Sequence, residues 1–129
     1  MTNKNENLSE LEQKRLSIEK QIAIGIWIQV IGATIEFLGI AKLRGISENP
    51  DSIPEKEVLS GAAIQAIGTF FEAIGVSGQI TESDNRIKLD AQKLAITGDW
   101  LQSIGAALEA AGGTGEFVQE QEKPSLFVP

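Results

Sequence analysis

Three stretches of this chain align without gaps: GIWIQVIGATIEFLG at 25–39, GAAIQAIGTFFEAIG at 61–75 and GDWLQSIGAALEAAG at 98–112. They share G-x-x-[IL]-Q-x-I-G-x-x-x-E-x-x-G, and successive copies start 36 and 37 residues apart. Six fixed positions recurring three times in so short a chain mark an internal repeat, and a repeat constrains every copy to similar local structure. Apolar residues recur within each copy at helical rather than alternating spacing, and no proline interrupts them. Each copy therefore reads as a helix.

The glycines stand seven apart, so on a straight helix they drift only about 20° per heptad and form a nearly axial stripe. The stripes are Gly25, Gly32 and Gly39; Gly61, Gly68 and Gly75; and Gly98, Gly105 and Gly112. They hold nine of the 13 glycines in the chain. Interior helical glycine costs roughly 1 kcal/mol against alanine, so nine of them forgo on the order of 7 to 9 kcal/mol, comparable with the whole stability of a small domain. Close backbone approach between helices, with the dispersion and Cα–H···O contacts that a missing side chain permits, is the expected compensation. The stripes are thus candidate helix-packing surfaces.

Gln29 and Glu36, Gln65 and Glu72, and Gln102 and Glu109 also stand seven apart, each four residues after a glycine and so about 40° round from the stripe. They form a candidate polar strip on the glycine side of each helix. Between Ile22 and Ala41 the polar members are Gln29, Thr34 and Glu36, so a carboxylate there either lies on the single wet strip or is buried with a partner. If Gly32 lies opposite Gly68 in an antiparallel pair, Gln29 comes level with Glu72 and Glu36 with Gln65. The same logic pairs Gln65 with Glu109 and Glu72 with Gln102, each glutamine amide donating to a carboxylate.

Start and stop signals divide the chain. Ser9 to Glu12 and Ser52 to Glu55 have capping-box spacing, the second with Pro54 in the first turn, and Thr81 to Asp84 offers caps for a third helix. The expected fold is all-α: an up-down-up antiparallel bundle of helices at about 9–44, 53–80 and 85–112, within one repeat domain at 9–118. Residues 1–8 are expected to be a flexible N-terminus and 119–129 a disordered tail.

Composition removes most chemistry. The 129 residues include no Cys, His or Tyr, which eliminates disulfides, zinc–thiolate sites, Ser-His-Asp and Cys-His catalysis, and histidine switching. Eleven basic against 18 acidic residues leave −7, the wrong sign for a nucleic-acid binder. Di-iron bundles need Glu-x-x-His, a calcium or magnesium cluster needs about six converging oxygens, and heptad glycines inside helices are unlike a phosphate-cradling loop. No catalytic, cofactor-binding or metal residues are expected, no cofactor, and no small-molecule substrate is marked. Trp27 and Trp100 read as packing residues or helix-end anchors.

The polar N-terminal residues do not look like a secretory signal, so the unassisted expectation is cytoplasmic. Yet the first helix presents about 20 mostly apolar residues followed by Lys42 and Arg44, long enough to span a bilayer. Its surplus apolar face must meet another copy of the chain or lipid. The expectation is a non-enzymatic protein acting by close helix packing and self-association as a homo-oligomer. The alternative is a membrane-associated or membrane-inserting protein, oligomeric or pore-forming.

The motif in its plainest form, Trp100-Leu-Gln-Ser-Ile-Gly-Ala-Ala-Leu-Glu-Ala-Ala-Gly, resembles the repeat of an uncharacterised repetitive-protein family of Bacillus-type bacteria. The resemblance covers the three copies and departs in the second, where Ala63 replaces Trp and Phe71 the aliphatic residue before Glu. It implies a bacterial origin and carries no activity to transfer.

Overall fold

The computed structural model describes residues 2–123 as three helices, α1 Thr2–Gly45, α2 Ile53–Thr81 and α3 Asn85–Glu122, without a strand among them. They run up, down and up, with α2 in the middle. Helix α2 starts where the sequence signals it: the Ser52 hydroxyl accepts from the Glu55 amide at 3.3 Å and Pro54 lies in the first turn. Asp84 caps α3, its carboxylate accepting from the Arg86 amide at 2.8 Å.

Two ends differ from the sequence expectation. Helix α1 begins at Thr2, so Ser9 to Glu12 lie inside it; residues 2–8 hold neither Gly nor Pro to stop propagation. Helix α3 continues past 112 to Glu122, because Gly112 and Gly115 do not end it but pack beside Pro54 of α2. The expected tail at 119–129 is therefore helical to Glu122, and 124–129 lie outside the described residues.

Glycine builds the α2–α3 contact. A Cβ at Gly68 would stand 2.7 Å from both the Gln102 amide nitrogen and the Gly98 carbonyl oxygen; at Gly61 it would stand 2.5 Å from the Glu109 nitrogen and 2.6 Å from the Gly105 oxygen. Gly98 and Gly105 meet the α2 backbone as closely, at Gly68 and Glu72 and at Gly61 and Gln65. Gly75 lies against Ala91 and Ala95, and Gly112 against Pro54 and Val58. All six positions sit where real side chains do not, so the two backbones touch directly.

Helix α1 joins α2 in a different way. Its buried residue Ile26, with Ala23, Val30, Ala33 and Phe37 partly covered, faces the side of α2 that carries Ala62, Thr69 and Ala73. The Trp27 indole donates to the Ser77 hydroxyl at 2.9 Å and meets the Phe70 ring edge-on, centroids 6.2 Å apart. This seam is roughly 140° round α1 from Gly32. Gly25, Gly32 and Gly39 consequently pack against nothing: a Cβ at any of them finds no atom within 4 Å. The packing role expected for them is not exercised within the chain, and Gly32 does not oppose Gly68, because α2 has already given its glycine face to α3.

The buried interior consists of Ile26, Ala62, Ala73, Ala95, Thr69 and the six packed glycines, and no large side chain among the described residues is fully buried. Stability of the α2–α3 pair hence rests on backbone approach. Gly68→Ala is expected to lower stability by about 2 kcal/mol or more, since the clash is with backbone and the helices must part. Gly113→Ala, where the added methyl meets open space, is expected to raise it by up to about 1 kcal/mol. Thermal denaturation followed by circular dichroism reads both signs.

Candidate functional site

The polar strips of α2 and α3 follow the glycine register. Gln102 donates its amide to Glu72 across the pair, the partnership the heptad spacing predicts. The equivalent Gln65 and Glu109 line the same open groove, but there Glu109 faces Glu36 of α1. The expected pairings of Glu36 with Gln65, of Gln29 with Glu72 and of Gln65 with Glu109 do not form. Helix α1 meets α2 through its Ile26 seam, which leaves Gln29 exposed and lets Glu36 reach across the groove to α3.

Carboxyl groups are thereby brought together. Burial above all, and then hydrogen bonding and charge from the facing Glu36 carboxyl, together raise the Glu109 carboxyl to about 7. Glu72 is also raised, chiefly by burial, against which the Gln102 hydrogen bond works while nearby Asp99 adds to the rise. At the far end of the bundle Glu116 is raised by burial and by the charges of Glu55 and Glu120. There Ser47 donates to Glu55 Oε1, while Glu55 Oε2 is buried without a partner beside a cavity of about 80 Å³ lined also by Ile40, Arg44 and Val58. Sequence reading missed this cluster because its members lie outside the repeat: Glu55 and Glu116 meet through the α2–α3 pairing, and the 46–52 connector adds Ser47. Among the described residues no group of His, Cys, Asp and Glu is arranged to hold a metal.

The other notable surface is the outer face of α1. Ile24, Ile28, Ile31 and Ile35 are 61 to 65% exposed and run beside the open glycines, with Leu38 and Leu43 nearby. Trp100, on α3 at the repeat position that Trp27 occupies in α1, is 68% exposed. The two tryptophans therefore have different roles: one docks and hydrogen-bonds, the other faces out.

Comparison with protein-family models, with curated proteins and with solved structures finds no match to this chain.

Two outcomes are expected from the strip. Gln102→Leu removes the donor to a partly buried carboxyl and should cost about 1 kcal/mol in chemical denaturation. The raised Glu109 value means the folded chain binds more protons than the unfolded chain between about pH 4.5 and 7, so this group's contribution to stability falls as pH rises through that window. The melting temperature should accordingly decline from pH 5 to pH 8, and Glu109→Gln should flatten that decline.

Proposed function

We propose that the chain is a non-enzymatic structural protein that acts by associating with copies of itself through the outer face of α1. The observation that carries this reading is area. The accessible surface is 9565 Å², whereas a compact monomer of 13.9 kDa has about 6,700 Å². Half of the exposed large apolar side chains lie on α1, where branched aliphatic residues border glycines that meet no other helix. Isoleucine at this density and exposure is uncommon on a solitary soluble chain and common where a partner covers it. Catalysis has little to work with, since His, Cys and Tyr are all missing and the paired carboxyls border an open groove.

A second reading, association with or insertion into a membrane, is favoured by one specific observation. α1 and α2 each contain a stretch apolar enough to cross a bilayer, with mean hydropathy 1.8 and 1.4, and these stretches are only 11% and 33% buried in the chain. Against it, Gln65, Glu72 and their partners on α3 would lie at bilayer depth, at a cost that falls only if every carboxyl stays paired or protonated.

Expression without detergent, followed by fractionation and light scattering, separates the two. Self-association predicts a soluble species of at least twice the chain mass. Recovery only with lipid supports the membrane reading, and a soluble monomer at all concentrations defeats both.

A further inference from the structure

The α2–α3 contact has a property that identifies what the open face of α1 is shaped to receive: it is reciprocal. The middle glycine of the second copy, Gly68, lies against the first glycine and the glutamine of the third, Gly98 and Gln102; the middle glycine of the third, Gly105, lies against Gly61 and Gln65 of the second. The first glycines match in the same way, Gly61 against Gly105 and Glu109, Gly98 against Gly68 and Glu72. Each side offers what the other offers, so the contact has local two-fold symmetry. A surface that mates with its own kind in this manner can mate with itself.

We infer that α1 pairs antiparallel with α1 of a second copy, across a two-fold axis beside Gln29, in the register that joins α2 to α3. This rests on the self-association reading and specifies its interface. Carrying the register over residue by residue puts Gly32 against Gly25 and Gln29 of the second copy, and Gly25 against its Gly32 and Glu36. Gly39 then lies against the second copy's Ile18 and Ile22, which are each 53% exposed in the single chain. The polar strip carries over with the glycines: the hydrogen bond from Gln102 to Glu72 has its counterpart from Gln29 of one copy to Glu36 of the other, twice by symmetry. Glu36 exchanges its contact with Glu109 for this amide, which leaves Glu109 to Gln65, its partner by the same register. The axis is closed, so the product is a dimer rather than a filament.

Single-cysteine cross-linking in the full chain tests the register, since there is no native cysteine to interfere. Gln29→Cys, level with its own copy across the axis, is expected to form a disulfide-linked dimer under mild oxidation, and Trp100→Cys is not. Gly32→Leu, at a position where an added Cβ meets open space, is expected to keep its helical circular dichroism while weakening the dimer on the order of tenfold or more by light scattering. A dimer that survives Gly32→Leu and fails to cross-link through Gln29→Cys overturns this interface but leaves self-association standing. Wild-type chain that stays monomeric throughout overturns both.

Discussion

The backbone-to-backbone contact between α2 and α3 sets the geometry of the whole chain. Because a Cβ at Gly61, Gly68, Gly98 or Gly105 would stand within about 2.7 Å of the opposing main chain, the contact leaves no room for the interlocking side chains of an ordinary bundle. Two helices this close use up the glycine face of α2, and α1 must approach along the far side. The groove over which Glu36 meets Glu109 is a result of that approach: it is the gap left when one helix pair is tight and the other is spaced by Ile26, Val30 and Phe37.

A contact made of glycine and alanine buries little hydrocarbon for each residue it orders. The interior holds Ala62, Ala73 and Ala95, and among the described residues its one well-buried large side chain is Ile26. Compared with a leucine-filled bundle of the same length, a smaller share of the stability comes from hydrophobic transfer and a larger share from dispersion at close range. The polar pair Glu72 and Gln102 fits this economy. Beside so thin a core, a carboxyl is partly dehydrated without being sealed off, which raises its proton affinity yet leaves it open to solvent and to a facing acid.

Much of this was legible in the sequence. Heptad glycines announced close packing, the Ser52 and Asp84 caps marked where α2 and α3 begin, and of the glutamine–glutamate pairings drawn from spacing the Gln102–Glu72 one forms. What periodicity does not reveal is which of two faces a helix gives to which neighbour. α1 is apolar nearly all round, so its glycine face and its Ile26 face were equally eligible for α2. The choice was made by packing, through the Trp27 hydrogen bond to Ser77 and the prior claim of α3 on the α2 glycines. Likewise the meeting of Glu36 with Glu109, and of Glu55 with Glu116, depends on how far apart the helices stand, a quantity no single-helix pattern carries.

The number of repeats matters as much as their content. Glycine faces are consumed two at a time, and the alternate faces of successive helices are consumed two at a time as well. With three copies in this chain, the stripes of α2 and α3 meet each other and that of α1 is left over. Deleting the α1 copy would therefore remove the unmatched stripe without touching the matched pair.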